Sequence, residues 1–151
     1  MGQLVVCMLP LLMGGAAQPQ IEDYGKELAT IDRIEHALPI VVVRQDDVRI
    51  NQSCVIRIPP GTIIADDEGD GVIQIVADNV TVLFEAGSQL QGRAGIDDWL
   101  SRGIREGDGW DTLIGTGITI NGQSDVEVIN ADIRGYRNGI IATDAPRLAI
   151  T

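Results

Sequence analysis

The chemistry-bearing residues of this 151-residue chain cluster in one stretch. Between residues 93 and 116 the chain carries Asp97, Asp98, Asp108 and Asp111 with Arg102 and Arg105, and both tryptophans, Trp99 and Trp110. Indole faces stack on flat apolar surfaces such as sugar rings, while carboxylates and guanidinium groups fix hydroxyls or uronate carboxylates. Asp97, Asp98, Trp99, Arg102, Arg105 and Trp110 are therefore candidates for holding a sugar chain. The plainer reading, which we favour, is that the tryptophans anchor the loop to the body of the protein. A glycosidase would also need two carboxylates at a defined separation across the scissile bond, which spacing in sequence does not supply.

The run Asp66-Asp67-Glu68-Gly69-Asp70-Gly71 is the densest group of carboxylates. Hard oxygen ligands suit Ca²⁺, and the run resembles the first half of an EF-hand loop. The twelfth position, where a bidentate acid belongs, is Ala77. A solvated acidic turn is the better reading, so no metal ligand or cofactor is assigned and Ca²⁺ is only a weak candidate. Tyr136 and Arg137, with Asn138, read as an outward corner; a sugar contact there is a weaker reading than an ordinary corner. His36, the single histidine, reads as a surface or boundary residue, and Cys54, beside Ile56 and Ile58, as a buried thiol.

The elements that must position these residues come from an internal repeat, which decides the fold before any local propensity does. Shifted by 22, Gly117 falls on Gly139, Ile118 on Ile140, Val126 on Leu148 and Val128 on Ile150. Within a repeat the apolar residues alternate in short pairs, Ile118/Ile120, Val126/Val128 and Ala131/Ile133, as strands require. Small or polar corners separate them. Three strands and three corners in 22 residues leave no room for hairpins but suit one turn of a triangular coil, each strand pairing in parallel with its copy a turn later. Parallel crossovers are right-handed. The expected fold is thus all-β: a right-handed parallel β-helix, a solenoid of about four turns. Earlier turns align as Val48/Ile50 on Ile73/Ile75, a shift of 25, and Ile56/Ile58 on Val80/Val82, a shift of 24. The third side is expected at 63–65 and again at 84–90. Residues 93–116 form an inserted loop, and Asn130 is expected to stack in a corner ladder.

Composition agrees with a thin coil: aromatic content is only 3%, and 18 glycines suit a chain with many corners. A net charge of −11 speaks against nucleic acid, which demands clustered Lys and Arg, and against an anionic membrane surface. Residues 1–17 read as a signal peptide: an apolar run from Leu4 to Met13, then Gly14-Gly15-Ala16-Ala17. The run is too short to span a bilayer. The protein is expected to be secreted, periplasmic or at the cell surface. Residues 18–39 are expected to form an N-terminal capping helix, because Leu28, Ile31, Ile34 and Leu38 share one helical face and Pro39 stops it. The solenoid, 40–151, ends within a strand and is expected to be truncated and open there, or to associate end to end or as a trimeric spike.

The run GVIQIVADNVTVLF, the loop, and the segment from Gly115 to Thr151, with the repeated phrase G-[VI]-x-[IA]…V-x-[VI]-x-N-x-x-[IL], resemble the N-terminal coils of pectin lyase-like right-handed β-helix proteins over residues 40–151. The resemblance implies an exported protein whose partner is a polysaccharide. Such proteins include lyases, glycoside hydrolases and epimerases as well as non-catalytic spikes and surface proteins, and fold does not choose among them. The paired aspartates and Gly-His-Gly of polygalacturonases are absent from the coils, and no pectate lyase-like cluster of acids and arginine carries over. Whether the protein is an enzyme stays open. As an enzyme it would be a lyase or glycoside hydrolase with its catalytic residues outside this segment, which alone is expected to be inactive. The alternative is a non-catalytic scaffold for carbohydrate binding, surface attachment or spike assembly.

Overall fold

The computed structural model describes residues 37–96 and 112–151. Each alternating apolar pair lies in a strand or at its edge (Ile58, Val80, Val126 and Ala131 fall just outside), and the strands among the described residues are all paired in parallel. In chain order they are β1 (Ile40–Val42), β2 (Val48–Ile50), β3 (Cys54–Arg57), β4 (Ile73–Ile75), β5 (Thr81–Phe84), β6 (Gln89–Gln91), β7 (Thr116–Asn121), β8 (Glu127–Ile129), β9 (Asp132–Arg134), β10 (Asn138–Thr143) and β11 (Ala149–Ile150). Three sheets result: sheet A with order β1-β3-β5-β8-β11, sheet B with order β10-β7-β4-β2, and sheet C formed by β6 and β9. From β2 onward the chain visits B, then A, then C, and repeats. The visit to C in the first circuit is a single bridge between Ile63 and Gln91.

The 22-residue period is the pairing register. Ile118 lies beside Ile140 and Val128 beside Ile150. The shift of 25 likewise sets Val48 beside Ile73 and Ile50 beside Ile75. Inward residues therefore stack in columns: Val48, Ile73, Ile118 and Ile140 form one, and Ile50, Ile75 and Ile120 the next, with Ala142, exposed on the last strand, continuing its register. With Cys54, Ile56, Val82, Phe84, Leu90 and Val128 the buried members make one continuous core, with Val48 and Ile140 packed against it. Each fully buried aliphatic side chain contributes about 1.5–3 kcal/mol from area removed from water.

One register differs from the expectation. Cys54 pairs with Val82 and Ile56 with Phe84, an offset of 28 rather than 24. The corner leading to sheet A is longer in the second circuit, running from Ile75 to Val82 rather than from Ile50 to Cys54. Alternation fixes which face is buried, but a slip by an even number of residues keeps the same faces inward. Phe84 accordingly belongs to sheet A, and the third side of that circuit is only β6.

Corners are held by residues in the left-handed region. Asn79, Asp125 and Arg147 have φ of 56°, 55° and 59° and stack one above another. Asn79 N donates to Ser124 O at 3.0 Å and Asp125 N to Pro146 O at 3.1 Å. Asn and Asp tolerate this conformation; Arg147 adopts it while its guanidinium pairs with the Asp125 carboxylate, which holds that carboxyl below its usual range. The ladder expected at Asn130 does not form among the described residues. Asn130 has φ 57°, but it follows the last paired residue of β8, Ile129, which lies beside Leu83, and the residue after Leu83 is Phe84, not an asparagine.

Of the expected capping helix only residues 37–39 are described; Leu38 and Pro39 are not helical, and the elements among the described residues are all strands. The rest of that helix, with His36 and the signal peptide, lies outside the described residues. Among the described residues no helix is long and apolar enough to cross a membrane.

Candidate functional site: a polar groove over sheet B

The outward positions of sheet B form a row as regular as its inward columns. Arg49, Gln74, Thr119 and Ile141 lie side by side on β2, β4, β7 and β10. They floor a groove of about 660 Å³. One wall is Gly69 and Asp70; the other includes Asn121, Gln123 and Thr143.

The floor and first wall are tied together. Gln74 Nε2 donates to Asp47 Oδ1 at 3.0 Å and to Asp70 Oδ2 at 2.9 Å. Thr119 Oγ1 donates to the Asp70 carbonyl at 2.6 Å. Gly71, with φ +101°, is required here because a Cβ would sit 2.7 Å from Thr119 Cγ2. On the far wall Gln123 Oε1 accepts from Asn121 N at 2.8 Å. Arg49 is exposed at the end of the row.

The wall bearing Asp70 is itself pinned from below by Asp66. Far from being solvated, Asp66 is 2% exposed. Its Oδ1 accepts from Gly69 N at 2.8 Å, and its Oδ2 from Thr116 N at 2.6 Å and Gly71 N at 3.3 Å. The acidic run thus divides. Asp66 is a structural anchor tying the loop to the start of β7, while Asp67, Glu68 and Asp70 face solvent. With Asp66 so engaged, the half EF-hand resemblance is not realised as a ligand set. Among the described residues no three of His, Cys, Asp and Glu converge to hold a metal.

Tyr136 is a correction to the sequence reading. It is not an outward corner residue: it is 7% exposed, and its hydroxyl donates to the Ile64 carbonyl at 2.7 Å. Burial, with the charges of Asp46 and Asp66 adding, pushes its phenol well above the usual range. The corner turns at Gly135, φ +75°, which leaves the large ring to fill the core rather than to meet a ligand. Arg137 is exposed as expected, its amide donating to the Ile114 carbonyl at 3.2 Å, and lies outside the groove lining. Asp97, Asp98, Trp99, Arg102, Arg105 and Trp110 lie outside the described residues. The described ends of that loop are Arg93–Ile96, which follow β6, and Thr112–Gly115, which precede β7; Thr116, expected in the loop, is the first residue of β7.

Arg49, Gln74 and Thr119 are not singled out by residue type. Their signal is positional: each lies between two inward aliphatic residues of an aligned turn, so the repeat itself points them outward in register. A groove of guanidinium, amide, hydroxyl and carboxylate groups in a row can hydrogen-bond an extended hydroxyl-rich chain. No family model matches this chain, nor does any curated protein or solved structure.

Proposed function

We propose that this is an exported, pectin lyase-like right-handed β-helix protein that binds a polysaccharide along the outer face of sheet B. The observation that carries the reading is the in-register row Arg49, Gln74, Thr119 and Ile141 on the floor of the groove. Neighbouring strands lie about 4.8 Å apart, close to the advance of one sugar unit along a glycan. A glycan running across the strands would meet one outward side chain per ring: Arg49 at one end, polar Gln74 and Thr119 in the middle, and apolar Ile141 at the other. The constant rotation through sheets B, A and C supports the β-helix reading. The right hand follows from the preference of parallel crossovers, in which a right-twisted strand packs back onto its sheet only that way.

The groove supports binding better than catalysis. Among the described residues its one lining carboxylate, Asp70, is held by Gln74, and no second acid among the described lining residues faces it across the groove. The test is affinity electrophoresis of the purified chain against a panel of neutral and uronate polysaccharides, with release of reducing or unsaturated ends followed in parallel. Retention by at least one polymer is expected. Arg49→Ala and Gln74→Ala should each weaken it about tenfold, the value of one or two hydrogen bonds to a ligand; Arg49→Ala leaves the melting temperature unchanged, while Gln74→Ala lowers it slightly because Gln74 also bonds Asp47 and Asp70. No retention by any polymer, or retention indifferent to both variants, would overturn the reading; turnover would move it to the enzyme class.

A further inference from the structure

The hydrogen bonds that hold the groove over sheet B together occupy the donors on its floor. Gln74 turns its amide nitrogen to two carboxylates, donating to Asp47 Oδ1 at 3.0 Å and to Asp70 Oδ2 at 2.9 Å. The reverse orientation would set the amide oxygen against both acids, so the nitrogen is committed and Oε1 is what a ligand meets. Thr119 gives its one hydroxyl proton to the Asp70 carbonyl at 2.6 Å, so that oxygen can only accept a further bond. The middle of the floor is thus an acceptor surface, with the second oxygen of Asp70 beside it. A sugar hydroxyl can donate to such a surface; a carboxylate, which only accepts, cannot. Charge acts in the same direction, because Asp47 and Asp70 both lie against Gln74 and repel a further anion there.

Arg49 is the opposite case. It is exposed on β2, one strand away from Gln74, and among the described residues no acid or carbonyl takes up its guanidinium. A guanidinium is a fork of N–H donors with no acceptor, matched in shape to a carboxylate. The Gln123 amide nitrogen on the far wall is a donor too, its Oε1 being taken by Asn121 N, but it carries no charge. We infer that the groove takes a glycan of neutral, hydroxyl-donating sugars with one acidic unit, seated at Arg49, and rejects a homopolymer of uronates. This rests on the polysaccharide reading and narrows it. Of successive sugars laid over the row, the one over Arg49 finds a charged donor. Those over Gln74 and Thr119 find acceptors, and the one over Ile141 finds an apolar side chain. A polyuronate would bring an acceptor to every place and like charge to Asp47 and Asp70.

The test is affinity electrophoresis of the full chain against polygalacturonate and alginate, each fully acidic, partly carboxyl-reduced and fully reduced to the neutral polymer. Linkage is constant within a series, so carboxyl content alone changes. The partly reduced form should be retained best, at least about tenfold more tightly than the fully acidic one, and added salt should narrow that gap. Arg49→Ala should bring the partly reduced form down to the level of the neutral one. Asp70→Asn still offers Gln74 an oxygen and leaves the carbonyl that holds Thr119; it should raise retention of the fully acidic form at least about threefold. Melting temperatures of both variants check that the fold is intact. A fully acidic form retained as tightly as the partly reduced one, or a partly reduced form retained no better than the neutral one, overturns the inference and leaves polysaccharide binding standing. So does an Arg49→Ala loss shared equally by all forms. Should another neutral polymer of the panel be retained instead, its counterpart oxidised at the primary alcohols takes the place of the acidic form, with the same expected order. Retention of no polymer at all overturns the polysaccharide reading, and this inference with it.

Discussion

Removing the Asp66 carboxylate should cost this fold more than any other single polar substitution among the described residues. The carboxylate is 2% exposed and receives three backbone N–H groups, two at 2.8 and 2.6 Å and one at 3.3 Å. Hydrogen bonds to a charged group contribute about 1.5–3 kcal/mol each, and the long one less. In Asp66→Ala the donors of Gly69, Gly71 and Thr116 lose their acceptor where water does not readily replace it, and a loss of about 3–5 kcal/mol follows. For a chain of this size that corresponds to about 10–15 °C in Tm. Asp66→Asn keeps the shape but turns an NH₂ toward at least one of those donors, so about 2–3 kcal/mol is expected. Urea unfolding followed by circular dichroism measures both. Amide exchange at Thr116 reports whether the loop has come away from β7. A loss below about 1 kcal/mol in Asp66→Ala, or unchanged protection at Thr116, would refute the argument that this carboxylate ties residues 66–71 to the strand 50 positions later.

Two glycines one turn apart should behave differently. A Cβ at Gly117 would meet Ile133 Cγ2 at 2.6 Å and the Gly139 carbonyl at 2.7 Å, whereas one at Gly139 meets nothing within 4 Å; Gly117→Ala should cost about 1–3 kcal/mol of overpacking and Gly139→Ala little, measured by thermal melts side by side. The Cys54 thiol, pushed up to about 11 by burial, should resist a thiol reagent at pH 8 until the chain is unfolded. Because its folded pKa is raised, the unfolded chain loses that proton first as pH rises. Stability tied to Cys54 is therefore fully present below about pH 8.5 and lost as pH climbs toward 11; a Cys54→Val variant whose stability fell as steeply over that window would count against this.

What the sequence determined by itself is the repeat and the faces. The matches of Gly117 to Gly139 and Val128 to Ile150 are pairing registers, because in a stacked parallel fold the next copy along the chain is also the next neighbour in space. Alternation of Val48, Ile50, Ile73 and Ile75 told inside from outside for the same reason that successive strand residues face opposite ways. What only the tertiary structure decided depends on corners and on what packs across them. Corner length set the offset of 28 between Cys54 and Val82, which alternation leaves open to even slips. Asp66 and Tyr136 look from sequence like surface polar residues. Each became interior because a backbone group distant in sequence, the Thr116 amide or the Ile64 carbonyl, sits where its polar atom can be satisfied. Arg49, Gln74 and Thr119 are ordinary residues until three strands from different turns set them side by side, and a row of that kind exists only in the folded sheet.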